Sequence, residues 1–293
     1  MSAIEIAPID IPRRRMVFAG VGRVGLIAGA ILFGTIVIAA LLAPWVAPHD
    51  PYAQNLANRL FPPIWHEDGR WIHVLGTDKL GRDVLSRLIF GARISLAIGM
   101  AATAIGGLIG VTLGMAAGYF RGRVDLAVNF LISVRLSIPV AIVALACVAM
   151  FGGSIPIVIA VLGGLLWDRF AVVTRATTLQ LRDMPFVLAA TAIGSSPLRI
   201  ITHDLLPNIA AVIIVVATQE FAHAILMEAT LSFLGFGVQA PLPSWGLMLA
   251  EGKQDMLFAP WLIAIPGVAL VLLVLALTLL GDALHRRVNR TGP

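Results

Sequence analysis

The chain has 293 residues, 59% of them hydrophobic and 13% charged, with a formal net charge of +5 and a mean hydropathy of +0.93. That is more apolar surface than a soluble core can bury, so a water-soluble globular class is excluded and a bilayer becomes the main solvent. The lone cysteine, Cys147, excludes an internal disulfide, and the basic balance follows from membrane topology rather than from nucleic-acid binding.

Residues 1–23 form a polar tail with Arg13, Arg14 and Arg15. The apolar run 24–43 is longer than the core of a cleaved signal and no small-residue cleavage site follows it, which makes it an uncleaved first span. Residues 44–93 are the largest extramembrane segment, and Pro44, Pro48, Pro51, Pro62 and Pro63 predict an irregular first half. His66, Glu67, Asp68 and His73 gather there and are read as solvated loop residues. None of the six histidines has a close metal-ligand spacing, so neither a metal nor a cofactor is expected. In 81–93, Val84, Leu85, Leu88 and Ile89 share a helical face with Arg82, Asp83 and Arg87 off it, a pattern that predicts an interfacial helix leading into the next span.

The second span, 94–118, carries Gly106, Gly110, Gly114 and Gly118 at every fourth position, a bare strip that another helix can approach closely. Run 136–151 follows Arg135. Run 155–174 contains Asp168 and Arg169, and run 209–227 contains Glu220 and His223. Lipid penalises all four groups, so they must face protein or water. Glu220 and His223 are three residues apart and share a face, where they either hold helices together or line a translocation path. A sixth, uncharged run spans 256–281, and residues 282–293 form a second polar tail. The fold class is therefore all-α and polytopic, with about six transmembrane helices.

With the N-terminus inside, the inner segments hold twelve arginines and the outer ones seven Lys or Arg, six of them in the long loop. Both termini are therefore expected to be cytoplasmic. The loop 175–208 then lies inside, where Pro185 and Pro197 bracket an Ala-rich short helix and a turn at Gly194, Ser195 and Ser196. The chain has no G-x-x-x-x-G-K-[ST] loop for nucleotide, no H-E-x-x-H and no G-x-S-x-G, so no enzymatic activity is expected and any energy source lies in another chain.

The segment FVLAATAIGSSPLRIITHDLLPN, residues 186–208, resembles the coupling loop of ABC-importer permeases, which has an E-A-A triplet, a following glycine and a terminal L-P. Ala189, Ala190, Gly194, Leu206 and Pro207 match, while Leu188 stands at the usual glutamate position. LGTDKLGRDVLSRLIFGARISL at 75–96, EATLSFLGFG at 228–237 and PSWGLML at 243–249 are similar to the second permease of dipeptide, oligopeptide and nickel importers. The resemblance implies a type I importer architecture in the bacterial inner membrane. It also implies a related permease as partner, two cytoplasmic ATPase subunits and an external solute-binding protein. Residues 188–190, Gly194, Leu206 and Pro207 would couple to the ATPases. Pro243 and Trp245 would meet the binding protein or form an outer gate, or Trp245 would simply anchor a helix end in an interface belt.

Peptides are the first cargo this resemblance suggests, with nickel or other metal chelates as alternatives. A proton-coupled secondary transporter using Glu220, His223, Asp168 and Arg169 is the reading from another class. It leaves the loop 175–208 without a purpose, and the two halves show no inverted repeat.

Overall fold

The computed structural model describes the backbone of residues 17–291 and the side chains of residues 24–286, so Arg13, Arg14 and Arg15 lie outside the described residues. Helix α1, Val17–Leu41, runs into a single turn, α2, Ala43–Val46. An irregular segment with one short 3-10 turn then leads to α3, Val84–Phe120. Next come α4, Gly122–Ser137, α5, Val140–Phe151, α6, Ile155–Leu165, and α7, Asp168–Arg182. The loop side carries α8, Pro185–Ala192, and the short α9, Pro197–Arg199, joined by a π-helical stretch, Ile200–Leu205, to α10, Leu206–Phe233. The chain ends with α11, Trp245–Gly252, and α12, Trp261–Thr291. Among the described residues, five helical segments are long and apolar enough to cross a membrane, and α4 with α5, bent by 83°, can form a sixth.

The interfacial helix expected over 81–93 is not a separate element. Asp83 caps α3 by accepting from the Ser86 N–H, and the helix then runs unbroken for 37 residues, about 55 Å at 1.5 Å per residue. Arg82, Asp83 and Arg87 do not face solvent either; each is at most 3% exposed, because carboxylates pair with the two guanidiniums. The run 136–151 is also split: Pro139 forces Ile138 into an extended conformation, which ends α4 and turns the chain into α5. The run 155–174 breaks at Leu166 and Trp167, between α6 and α7. The last helix starts at Trp261 rather than at 256, after Pro260.

Helix α3 is the mast of the bundle, packed by α7, α6 and α10, while α1 and α10 lie along α12. Its glycine strip faces the α6–α7 break. A Cβ on Gly106 would lie 2.7 Å from the Leu166 carbonyl oxygen, on Gly114 2.6 Å from that of Ala171, and on Gly118 2.7 Å from Thr178 Cβ. On Gly110 it would collide with the Trp167 carbonyl. A second core joins Leu96, Phe221, Ile225, Trp245, Leu273 and Leu277 of α3, α10, α11 and α12. Outside, Ile31, Ile38, Leu108, Leu126, Ile142, Met150 and Val271 are more than half exposed, an apolar surface that only lipid or another apolar subunit can cover.

Gly110→Val should therefore separate α7 from α3, destabilising the folded protein by about 1–3 kcal/mol or preventing its recovery. Gly34→Val in α1, where no atom lies within 4 Å of the added Cβ, should leave the thermal midpoint in detergent nearly unchanged.

Candidate functional site

At one end of the bundle, Pro185 opens α8, where its missing N–H costs nothing. The helix stops in a Schellman arrangement: the Gly194 N–H donates to Thr191 O and the Ser195 N–H to Ala190 O, both at 3.0 Å. Gly194 takes the left-handed conformation this requires, with φ +83°. One face of α8 is pinned, since Val187 is buried with Met115 of α3 and with Ile200, Leu205 and Ile209. Ala190 and Leu206 pack against the same cluster. Away from that cluster α8 is bare, with Leu188 56% exposed and Ala189 and Phe186 also exposed; Ile193 at its C-cap is 83% exposed and Leu198 of α9 71%. Pro207 is the second residue of α10 and cannot donate a backbone hydrogen bond into the helical stretch that precedes it. The π-helical stretch before it, with the Leu206 N–H donating to Ile201 O, absorbs that defect without a break.

Halfway along α10 sits Glu220, 1% exposed. Arg169 Nη1 of α7 lies 3.3 Å from its Oε1, and His223 Nδ1 lies 3.4 Å from its Oε2. The carboxylate is enclosed, but its two partners reach the surface, with side-chain exposures of 61% for Arg169 and 34% for His223. Asp168 turns the other way, 3.9 Å from Arg135 Nη2, while Arg135 Nε donates to the Leu165 carbonyl at the α6–α7 break.

At the opposite end, Arg87 and Arg82 are clamped between Asp78 and Glu251 of α11. Arg82 Nε donates to Asp78 Oδ2 at 2.6 Å, Arg82 Nη2 lies 3.0 Å from Glu251 Oε2 and Arg87 Nη1 2.8 Å from it, and Arg87 also pairs with Asp78. Burial alone pushes the Asp78 carboxyl up. Arg87, the backbone N–H groups of Arg82 and Leu80 and the Arg82 guanidinium outweigh it, holding the group below the usual carboxylate range. Beneath this cluster, Glu228 of α10 accepts from Ser95 Oγ of α3 at 3.3 Å and from Ser232 Oγ at 2.8 Å, and is fully buried.

Trp245 is not an interface-belt residue. It is 2% exposed, its Nε1 donates to Leu88 O at 2.8 Å, and its ring fits only because Gly91 has no Cβ. Pro243 is buried as well, so of the stretch 241–249 only Pro241 and Leu242 are fully open to a partner. The loop residues His66, Glu67 and Asp68 are exposed, but His73 is buried against Asp83 at 3.0 Å.

Residues 110–291 match the model of the binding-protein-dependent transport system inner membrane component, a stretch that holds the α3–α7 seam, the α8 loop and all of α10. The chain belongs to this family. Residues 25–63 also match the N-terminal transmembrane domain of oligopeptide transport permease C. Among curated relatives, the di/tripeptide transport system permease protein DppC of Pseudomonas aeruginosa is 40% identical over 261 residues, covering 89% of this chain and 86% of that protein. The dipeptide transport system permease protein DppC of Escherichia coli K12 is 39% identical, covering 89% and 87%. The backbone resembles the MetNI methionine ABC transporter in inward-facing conformations, with TM-score 0.55 and 19% identity over 71% of this chain and 97% of that one, a likeness of fold. This permease is thus an inner-membrane transport component with the type I importer fold.

Reading residue spacing alone misses the ion cluster, the Glu228 serine cage and the pairing of Arg169 with Glu220. The contacts that join separate elements, Arg87 with Glu251, Ser95 with Glu228 and Arg169 with Glu220, span from about fifty to more than a hundred and fifty residues, so no local pattern marks them.

Two measurements follow. Arg169→Ala strands a buried carboxylate and should cost about 3 kcal/mol in the thermal stability of the purified protein. Glu220→Gln strands only an exposed guanidinium and should cost roughly 1 kcal/mol, with the double variant recovering part of the larger loss. At the other end, a depressed Asp78 pKa means its pairing is fully stabilising above the ordinary value near 3.9 and is lost as pH falls through the lower, folded one. Hydrogen exchange of residues 76–88 should stay slow at pH 5 and accelerate only below about pH 4.

Proposed function

We propose that this permease is one membrane subunit of an ATP-driven importer of di- or oligopeptides, working beside a related permease, two cytoplasmic ATPase subunits and an external solute-binding protein. The peptide cargo is taken from the names of its relatives. ATP hydrolysis belongs to the partner subunits. The observation that carries the coupling reading is α8, a helix pinned on one side by Val187 that exposes Phe186 and Leu188, with Ile193 at its C-cap and Leu198 of α9 exposed beside it.

An apolar knob on a rigid base suits insertion into a cleft of an ATPase subunit, whose closure would then push on α8. Leu188, at the position where relatives of this kind use glutamate, favours an apolar rather than a charged contact there. Ala189, Ala190 and Gly194 shape the knob, while Leu206 and Pro207 link it to α10, which passes Glu220 and His223 on its way to the outer end. Movement of α10 would carry His223 and Glu220, and with Glu220 its pairing to Arg169 of α7, into or out of the path of a zwitterionic peptide. In this arrangement both termini and the loop 175–208 are cytoplasmic, with residues 1–23 and 282–293 as cytoplasmic tails. The segment 44–93 and, from the stretch 241–249, Pro241 and Leu242 face the binding protein, with Pro243 and Trp245 supporting them from within.

Gly194→Val tests the coupling role. Nothing lies within 4 Å of the added Cβ, so the variant attacks only the positive φ and leaves packing alone. Expected is loss of ATPase assembly or of substrate-stimulated hydrolysis with an unchanged thermal midpoint, whereas Gly194→Asn, which tolerates that conformation, should retain most activity. Full transport by the valine variant would sink the docking role.

A further inference from the structure

We propose that His49, His73 and Asp83 form a binding site for a divalent transition-metal cation of the zinc type, at the loop end of α3. The three residues come from different parts of the segment that joins α2 to α3, and one ligand atom from each lies within 4.8 Å of the others. Asp83 divides its carboxylate between two tasks. Oδ2 accepts from the Ser86 N–H at 2.8 Å and from Ser86 Oγ at 2.7 Å, capping α3. Oδ1 is left facing the two imidazoles, 3.0 Å from His73 Nδ1 and 3.7 Å from His49 Nδ1. A cation held at about 2.0–2.1 Å by nitrogen and oxygen in tetrahedral geometry separates its ligand atoms by roughly 3.3 Å; the two carboxylate–imidazole distances straddle that value, and the His49–His73 separation, within 4.8 Å, closes as the partly exposed His49 ring turns onto the ion.

The second observation is His49 Nδ1 itself. Although the His49 ring is partly exposed, this nitrogen is buried and has no hydrogen-bond partner. An unpaired buried polar atom is costly, and the ordinary explanation of the cluster does not remove that cost. A hydrogen bond from His73 to Asp83 satisfies His73 alone, since 3.7 Å is too long for His49 to share it. A cation between the three groups satisfies all of them at once.

The surroundings fit this role. His73 Nε2 lies 3.5 Å from the Asn58 amide, and a half-turn of that amide presents its oxygen to an Nε2–H, the outer partner that metal-bound imidazoles use. Arg82 and Arg87 are occupied by Asp78 and Glu251 and do not compete for Asp83. Two imidazole nitrogens and one carboxylate oxygen select zinc-like ions over calcium or magnesium, and the exposed edge of His49 leaves a fourth position for water. A bound ion would clip the beginning of the segment to the first turn of α3.

The test uses the assembled transporter in detergent, stripped of metal with a chelator and then titrated with Zn2+ or Co2+. The wild-type complex should take up one Zn2+ more than a His49→Ala complex does, and its Co2+ form should show visible absorption bands that this variant lacks. His73→Gln should weaken binding at least tenfold. His66→Ala, an exposed histidine of the same segment, should change nothing. The His49 backbone N–H keeps its 3.0 Å bond to Ser86 Oγ in the alanine variant, so its metal-free thermal midpoint should match the wild type. Absence of saturable Zn2+ uptake by the wild-type complex, or uptake and Co2+ bands unchanged by His49→Ala, overturns the proposal.

Discussion

The close approach of α7 to the glycine face of α3 is the contact on which the rest of the bundle depends. With side chains absent at Gly106, Gly110, Gly114 and Gly118, backbone meets backbone, and the carbonyls of Leu166 and Trp167 lie directly over the strip. That proximity makes the break between α6 and α7 tolerable within the membrane. A freed carbonyl exposed to lipid would cost several kcal/mol, whereas here Arg135 reaches across from α4 and donates to Leu165 O. The same arginine lies near Asp168, so an element that lipid would reject is enclosed by three helices.

A second pattern is the use of buried polar groups to set register between helices that share only apolar surface otherwise. The Asp78, Arg82, Arg87 and Glu251 cluster locks the segment before α3 to α11. One layer deeper, Glu228 joins α3 to α10 through Ser95, and the Trp245 N–H lies 3.3 Å from the same Ser95 hydroxyl. Hydrocarbon offers little hydrophobic drive for helix association, so packing and these directional contacts decide which faces meet. The end that holds α11 is consequently built as a stiff unit, while the α8 end presents apolar side chains.

Helix α10 connects the two ends. It runs 28 residues, about 42 Å at 1.5 Å per residue, from the π-helical stretch past Glu220 to Glu228 and Phe233. Pro207 follows helical residues that begin at Pro197, so its missing N–H and its ring would ordinarily kink the continuing helix. The extra residue per turn just before Pro207 removes the clash and keeps the helix continuous. Under the proposed coupling, that continuity is what would allow a push on α8 to be felt at mid-span and beyond.

Composition and apolar run length by themselves determined that this is a polytopic helical membrane protein, because the bilayer sets both the length of a span and the penalty for charge within it. The glycine period marked one seam, since spacing along one helix is a local property, and the three-residue step placed Glu220 beside His223 for the same reason. Tertiary structure alone decided who faces whom. Arg82, Asp83 and Arg87 read as the polar side of an interfacial helix because Glu251, which binds both arginines, and His73, which meets Asp83, are brought to them only by folding. Trp245 read as a gate or binding-protein contact, or as an interface anchor, because no local pattern shows that its ring closes onto Gly91. His73 stood out only beside His66, Glu67 and Asp68, and its meeting with His49 and Asp83 carried no signal: metal-ligand spacing is a rule about neighbours in sequence, and these three become neighbours only when the loop closes over the start of α3.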